Sequence, residues 1–277
     1  FNVALGRESL KQNTTGDANV AVGLNALQQN TTADFNIAIG RNALVNNTTG
    51  TNNVAVGAFA ADALTTGGFS IAIGHNTLTA ATTASSNTAI GFEALKACTT
   101  GQRNVAIGTN TGNAITTGSD NVLIGRDAGL SGSPSGNVTT ATGQVCLGDN
   151  AVTDLFCKVS TIQTSDLRDK TDITDFKHGL SWIEKLKPIT YRWDMRSSYE
   201  DGKPDGSKKE EKLHLGFIAQ DVIKIEKEHG FASDKNMMLL VNKNNDGNYG
   251  MKYDRVVPIL VNAIKELSAK VTALEAG

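Results

Sequence analysis

The chain has 277 residues, a mass of 29.2 kDa and a formal charge of −2 at pH 7. This near-neutral charge excludes a nucleic-acid binder that relies on a basic surface, and no apolar run is long enough to span a membrane. The length predicts one or two domains. Phe1 stands in the middle of a sequence pattern, which indicates a fragment of a longer protein.

A 17-residue repeat fills the first half of the chain. Each copy carries a glycine, preceded two residues earlier by an alanine or leucine and four residues earlier by an asparagine or serine. A fixed period of this length is typical of stacked supersecondary units. The glycines are Gly6, Gly23, Gly40, Gly57, Gly74, Gly91, Gly108 and Gly125, and a ninth, degenerate copy ends at Gly148.

Each copy predicts one short β-strand, for example over residues 36–40. Ile37 and Ile39 then share one face because strand side chains alternate, and Ala38 faces a surface that admits only a methyl group. We expect another backbone or another chain to pack closely there. Parallel stacking places equivalent asparagines above each other in ladders, and the segment 42–44 is predicted to form a helical turn or a second strand.

One 17-residue coil buries little apolar surface, so its stability must come from neighbouring coils and neighbouring chains. Because aromatic residues make up only 5% of the chain, we favour an elongated trimer. A monomeric β-solenoid is the alternative. The copies are similar to the Asn-x-Val-Ala-Ile-Gly repeats of trimeric autotransporter adhesin heads.

The sequence predicts neither a metal site nor a cofactor site. The repeats lack a recurrent carboxylate or histidine, and His75 is interpreted as a polar surface residue. Cys98, Cys146 and Cys157 show no zinc-ligand spacing, so we interpret them as small buried apolar residues.

A shift in charge marks a domain boundary. Residues 1–150 contain 14 charged side chains, whereas 151–277 contain 40. We therefore predict a repeat domain over 1–150, a linker over 151–164 and a second domain over 165–277. The polar stretch 197–212 is interpreted as a solvated excursion, either a flexible arm that touches a client chain or plain disorder.

Apolar spacing of three and four residues predicts helices over 180–186, 217–228 and 257–275. The last one has an a/d heptad seam, which indicates a coiled-coil oligomerisation helix. An amphipathic helix docked on its own domain is the alternative. The seam residues are Val257, Leu260, Ile264, Leu267, Val271 and Leu274.

Four segments of the second half occur in a recognisable order: Thr164–Lys170, Leu186–Trp193, Leu215–Val222 and Tyr253–Arg255. This order resembles the C-terminal intramolecular chaperone domain of phage tailspikes and tail fibres, the S74 peptidase family. The expected fold is a mainly β repeat shaft, a trimeric β-helix or β-roll, followed by an α+β chaperone domain that ends in a coiled-coil helix.

The resemblance implies a homotrimer whose chaperone domain holds three chains together while the shaft folds and then releases itself by autoproteolysis. It assigns Ser165 as the nucleophile and Lys170 as the base, with the cleavage site at Thr164, Ser165 and Asp166. Such a protein resides in the virion, and its chaperone domain is released in the host cytoplasm. A host receptor is expected to bind parts outside this chain.

The spacing of Ser165 and Lys170 imposes a geometric condition. Residues five apart lie on opposite faces of a strand and far apart around a helix. The segment must therefore bend, or Lys170 must act across the trimer. No other nucleophile or P-loop motif is present, and the other histidines, His178 and His214 among them, are interpreted as structural.

Two other functions stay open. The chain can be a structural, adhesin-like trimer whose C-terminal domain sets the register of the chains and never cuts. It can also be a membrane-associated host or viral factor that uses the same self-cleaving module, although a fibre shaft explains the repeats directly.

Overall fold

The computed structural model describes residues 1–152, 154–155 and 165–277. The chain divides into two compact units, Phe1–Thr153 and Asp154–Gly277. This division falls within the predicted linker, most of which lies outside the described residues. Cys157 and Thr164, the first residue of the predicted cleavage site, also lie outside them.

The first unit is a β-solenoid with one three-residue strand in each coil. All nine strands pair in parallel and in chain order, with Val20 beside Ile37 and Ile37 beside Val54. The predicted fold, a β-repeat shaft followed by a second domain, is confirmed. The strands are β1 Val3–Leu5, β2 Val20–Val22, β3 Ile37–Ile39, β4 Val54–Val56, β5 Ile71–Ile73, β6 Thr88–Ile90, β7 Val105–Ile107, β8 Val122–Ile124 and β9 Val145–Leu147.

From β2 to β9 the strands bury their central residue, and the flanking residues are exposed or half-buried. Ala38 is fully buried, whereas Ile37 and Ile39 are exposed, so the predicted sharing of one face is confirmed. Ala38 belongs to one apolar cluster with Ala43 and Leu44 of its own coil. The close neighbour is therefore the chain itself, so of the two expected alternatives, another backbone or another chain, the structure has the first.

A ladder of buried asparagines ties each coil to the next. Asn36 donates its backbone N–H to Asn19 Oδ1 at 2.9 Å and its side-chain Nδ2 to the Gly50 carbonyl at 2.8 Å. Asn53 repeats both contacts one coil further on, at 3.0 and 2.9 Å. Each side chain thus satisfies buried backbone groups that no strand pairing reaches, and the predicted polar ladder is confirmed.

Segment 42–44 forms neither a helical turn nor a second strand. Asn42 and Leu44 have left-handed backbone conformations, with φ of 57° and 51°. Leu44 donates its N–H to the Ala60 carbonyl of the next coil at 3.0 Å, and Val45 donates its N–H to the Asn42 carbonyl at 3.3 Å, so this turn bonds along the stack as well as within itself. The corner before it needs glycine: Gly40 has a φ of +134°, and an added Cβ would lie 2.5 Å from the Gly57 carbonyl oxygen.

The described part of the second unit contains short helices and two small antiparallel sheets. Strands β10 and β11 form one sheet, and β12 and β13 form the other. Trp182, Val222 and Leu240 lie at the centre of its apolar core. The elements are α1 Leu180–Ile183, β10 Ile189–Tyr191, β11 His214–Gly216, α2 Ala219–Glu228, β12 Val241–Lys243, β13 Tyr249–Met251 and α3 Val256–Glu275.

Helix α3 presents two different faces. Ile259 and Ala263 are buried on its own unit, where Asn262 Nδ2 donates to the Phe176 carbonyl at 2.5 Å and Glu266 accepts from the Leu180 N–H at 3.0 Å. All six residues of the predicted heptad seam are nevertheless exposed. Docking on its own domain and a free seam therefore coexist on this helix. Among the described residues, none of the helices is long and apolar enough to cross a membrane.

We predict that Asn87→Ala destabilises the solenoid by about 2 to 4 kcal/mol, because it leaves two buried backbone groups without their partners. These groups are the Gly101 carbonyl and the Asn104 N–H, each 2.9 Å from the Asn87 side chain. Chemical denaturation of the two proteins measures the difference. Asn87→Ser is the matched control, since Ser70 occupies the same place in the preceding coil and accepts the Asn87 N–H at 3.3 Å. Equal losses for both variants would contradict this role.

We also predict that the solenoid loses stability as the pH rises from about 9 to 11. Burial raises the pKa of the Cys98 thiol to about 11, whereas the thiol of the unfolded chain ionises at about 8.5. Above that lower pKa only the unfolded state gains the charge, so stability present at neutral pH falls by on the order of 2 kcal/mol. Urea unfolding at a series of pH values measures the slope. In Cys98→Ala, which introduces the residue that Ala81 provides at the same place in the preceding coil, the slope should be smaller; an unchanged slope would refute the assignment to Cys98.

Candidate functional site

The side chains of Ser165 and Lys170 are in direct contact. Lys170 Nζ donates to Ser165 Oγ at 2.7 Å, and both residues are exposed to solvent. The contact forms within one protomer. Of the two arrangements that the sequence allowed, the structure has the bent segment, and Lys170 needs no second chain to reach Ser165.

A single 3-10 turn, Leu167–Asp169, produces this bend. Asp166 caps the turn, because its Oδ1 accepts the Arg168 N–H at 2.9 Å, and the Lys170 N–H closes the turn on the Leu167 carbonyl at 3.2 Å. The Arg168 guanidinium also binds both carboxylate oxygens of Asp166, with Nη2 to Oδ2 at 2.6 Å. Asp166, which the resemblance places at the cleavage site, and Arg168 therefore hold the turn that joins Ser165 to Lys170.

The electrostatics of the turn keep its ion pair charged. The Arg168 side chain lowers the pKa of the Asp166 carboxyl through a hydrogen bond, and Asp166 in turn raises the pKa of Arg168. Both side chains are exposed to solvent, so this ion pair fixes the shape of the turn and contributes little to the free energy of unfolding. The distance between Ser165 Oγ and Lys170 Nζ is short enough for proton transfer between a nucleophile and its base. General-base catalysis also requires a neutral amine, because the proton must move from Oγ to the lysine nitrogen.

The other three sequence segments that carry the resemblance meet at one place in the second unit. Strand β10 pairs with β11, with Ile189 opposite Gly216. Tyr253 lies against the end of β11: its hydroxyl accepts the Phe217 N–H at 3.2 Å, and the two rings stack at 6.0 Å. Glycine at 216 makes room for this contact, because an added Cβ would lie 2.3 Å from the Tyr253 hydroxyl.

A buried carboxylate organises the core beside these segments. Glu226 on α2 is fully buried and accepts the backbone N–H groups of Leu239, Leu240 and Val241 at 3.3, 2.5 and 3.2 Å. This residue anchors the start of β12. No sequence signal pointed to it, because a glutamate on an amphipathic helix is ordinarily exposed.

The polar excursion 197–212 folds back on Asp194. Tyr199 donates its hydroxyl to Asp194 Oδ1 at 2.6 Å, and Gly206 donates its N–H to Oδ2 at 2.9 Å. Lys208 completes the loop by donating its N–H to the Tyr199 hydroxyl at 2.8 Å. The excursion is therefore a hydrogen-bonded loop and not plain disorder, and its contact with a client chain stays a prediction.

The histidines and cysteines have structural surroundings. His178 packs among Phe176, Trp182 and His229, and His214 stacks on Tyr191. Cys98 and Cys146 are buried free thiols, as predicted. Across the described residues, His, Cys, Asp and Glu form no group of three or more that could hold a metal ion.

Together, the two units define a β-solenoid joined to an α+β domain that has a serine–lysine contact near its start. Residues 165–231 match the model of the Peptidase S74 family, described as the chaperone of endosialidase. This match confirms the resemblance for the C-terminal domain, at the level of a chaperone in a family of serine autopeptidases. Searches of curated proteins and of solved structures gave no match.

Proposed function

We propose that the chain is part of a phage tail fibre or tailspike. Its C-terminal domain brings three chains together, assists the folding of the β-helical shaft, and then releases itself by a single autoproteolytic cut beside Ser165. The observation that supports this most directly is the 2.7 Å contact between Lys170 Nζ and Ser165 Oγ, at the first residue of the matched chaperone segment.

The proposed reaction uses Lys170 as general base. A neutral lysine amine accepts the proton of Ser165 Oγ, and the oxygen attacks a neighbouring peptide carbonyl. The C–N bond of that peptide breaks, its nitrogen receives the proton, and water hydrolyses the resulting ester. Attack on the preceding carbonyl closes a five-membered ring, whereas attack on the carbonyl of Ser165 itself needs a strained four-membered ring. We therefore propose the Thr164–Ser165 bond as the scissile bond.

Exposure of the pair supports a link between cleavage and assembly. A hydrated lysine amine is charged at neutral pH and cannot act as a base, whereas removal of water favours its neutral form. In this proposal a correctly assembled trimer covers the segment 165–170 and removes that water. Cleavage then follows folding and does not precede it.

Two exposed apolar surfaces support the trimer. One is the heptad seam of α3, which includes Ile264, 65% exposed. The other is the sheet face of the solenoid, where the flanking residues of successive strands, such as Ile37 and Ile39, form two parallel rows. Extended apolar faces of this kind are typical of protein–protein contacts, and a rotationally symmetric trimer covers both.

The remaining parts of the proposal follow from this assignment. The partner is the chain itself, as a homotrimer, and a host surface receptor binds through parts outside this chain. The protein resides in the virion, and the released domain stays in the host cytoplasm. We propose no nucleic-acid partner, no membrane partner and no cofactor.

We predict that the wild-type protein yields a C-terminal piece that Ser165→Ala and Lys170→Ala do not. Cleavage before Ser165 leaves 113 residues and cleavage after it leaves 112, about 12 kDa in either case, from a chain of 29.2 kDa. Both side chains are exposed, so the variants should fold and assemble as the parent does. Intact mass spectrometry under denaturing conditions identifies the pieces and the bond.

Lys170→Arg and Lys185→Arg sharpen this test. Arginine keeps the charge at 170 but cannot become neutral, so cleavage should stop; the same exchange at the exposed Lys185 should leave cleavage unchanged. Normal cleavage in Ser165→Ala or Lys170→Ala would remove this pair from the mechanism. If the folded wild-type trimer also stays whole, the structural trimer with a C-terminal registration module is the better function.

We further predict that Ile264→Asp prevents trimer formation without unfolding the second unit. The change places three carboxylates at the centre of the proposed seam, which costs several kcal/mol per trimer. Sedimentation velocity measures the assembly state and circular dichroism measures the fold. Ala269→Asp, an exposed helix position outside the seam, is the control and should stay trimeric. A trimeric Ile264→Asp protein would show that the seam does not hold the chains together.

A further inference from the structure

A carboxylate lies close in sequence to the serine–lysine contact and does not bind the lysine. Asp166 directly follows Ser165 and precedes Lys170 by four residues, a spacing at which a carboxylate and an ammonium group on one helical turn form an ion pair. Lys170 Nζ nevertheless donates to Ser165 Oγ at 2.7 Å, and in the described part of the chain no carboxylate forms an ion pair with it. Another partner of Asp166 therefore decides where the amine binds.

That partner is Arg168, which contacts both oxygens of the Asp166 carboxylate. Arg168 Nε lies 3.0 Å from Oδ1 and 3.2 Å from Oδ2, and Nη2 lies 2.6 Å from Oδ2. Oδ1 also accepts the backbone N–H of Arg168 at 2.9 Å. Each carboxylate oxygen thus has a charged donor, and the ion pair as a whole has no net charge that would attract Lys170.

The other charged groups of this segment are carboxylates as well. Asp169 and Asp172 are exposed, and among the described residues neither forms an ion pair with Lys170. An ammonium group that pairs with a carboxylate holds its proton more firmly. Without Arg168, the Asp166 carboxylate would be free to bind Lys170 and keep it charged, and a charged lysine cannot accept the proton of Ser165.

We propose that Arg168 is a positioning residue for the Ser165–Lys170 pair. By binding Asp166, it keeps that carboxylate from pairing with Lys170, so the amine stays on the serine hydroxyl and can lose its proton. This role rests on the proposed function and deepens it, because it names the residue that controls the charge beside the base. It needs no second chain, since the four side chains lie within six consecutive residues of one protomer.

Two single substitutions should shift the pH dependence of cleavage in opposite directions. Arg168→Gln frees the Asp166 carboxylate but keeps the backbone N–H that it caps, so cleavage should begin at higher pH. Asp166→Asn keeps a capping oxygen and leaves Arg168 as an unpaired cation, so cleavage should begin at lower pH. We expect about 0.5 pH unit in each direction, the size that one exposed ion pair produces, and about a threefold change in rate at neutral pH.

The rates are measured on the full-length chain as it folds. Protein kept unfolded and uncut in urea is diluted into buffers from about pH 6 to about pH 10, a range in which a lysine amine begins to lose its proton. The cut fraction is then followed with time on a denaturing gel. Circular dichroism of each sample confirms that all variants fold at each pH.

The double variant Asp166→Asn with Arg168→Gln distinguishes control of charge from support of the turn. It removes both charges, so its pH dependence should return to that of the parent. If the ion pair only supported the turn, all three variants would cut more slowly. Arg103→Gln is the matched control: it breaks another exposed pair, in which Arg103 Nε lies 2.6 Å from Asp120 Oδ1, and it should leave the pH dependence unchanged.

Competitive acetylation measures the charge of Lys170 without relying on cleavage. Only a neutral amine reacts with acetic anhydride, so the rate of acetylation across the same pH series, followed by peptide mass spectrometry, measures the neutral fraction. Full-length Ser165→Ala, which has no hydroxyl for the attack, is the parent of all variants here. Lys185 of the same sample is the internal reference, since its own ion pair is unchanged. The midpoints should follow the same order as for cleavage.

The two measurements separate this role from the proposed function. Opposite shifts for the single variants in both experiments support it. If the wild-type chain never cuts but acetylation shifts in the expected order, the proposed function is wrong and the control of Lys170 by Arg168 stands. If acetylation does not shift, or if both single variants slow cleavage and the double variant does not recover, the role assigned to Arg168 is wrong.

Discussion

The stacking of coils in a strict 17-residue register is the constraint on which the rest of the first unit depends. Three-residue strands form few ladder hydrogen bonds, so the asparagine side chains supply bonds that the strands cannot. A slip of one residue would turn Ala38 outward and place Ile37 and Ile39 in a core that has room only for the Ala38 methyl group at this coil. The strand register, the small size of the buried side chains and the asparagine ladder therefore depend on one another. Each coil is stable only beside its neighbours.

This arrangement reverses the usual distribution of side chains on a half-buried sheet. The coil interior is narrow, so it takes alanine from most of the strands and leucine from the opposite turn, and the β-branched strand residues remain on the outer face. A single chain consequently has a small core and an extended apolar surface. The same division occurs in α3, where the face that packs on its own unit and the exposed seam use different residues. Both units thus combine a packed apolar interior with an apolar surface that is exposed to solvent. This exposed surface is the physical basis for proposing assembly.

Local, repeated patterns were predictable from the sequence, whereas single long-range contacts were not. The period, the strand positions, the asparagine ladder and α3 all follow from spacing, because each is repeated many times or extends over several helical turns. The turn at Asn42–Leu44 was predicted wrongly because its left-handed residues are held partly by hydrogen bonds to the preceding and following coils, which a single copy does not reveal. Glu226 and the Asp194 loop depend on partners many residues away. The site could be predicted in part. Motifs point to Ser165 and Lys170, but the contact between them depends on a turn that Asp166 caps, and the sequence does not specify the geometry of that turn.

That turn also limits how cleavage can depend on assembly. Six consecutive residues bring Ser165 and Lys170 together, through an aspartate cap and a guanidinium that binds the capping carboxylate. The pair therefore does not await a second chain to be complete, and a trimer cannot activate it by supplying a missing group from this segment. What the isolated protomer lacks is the removal of water from an exposed amine. In the proposed function, the coupling of cleavage to folding accordingly acts through the solvation of Lys170.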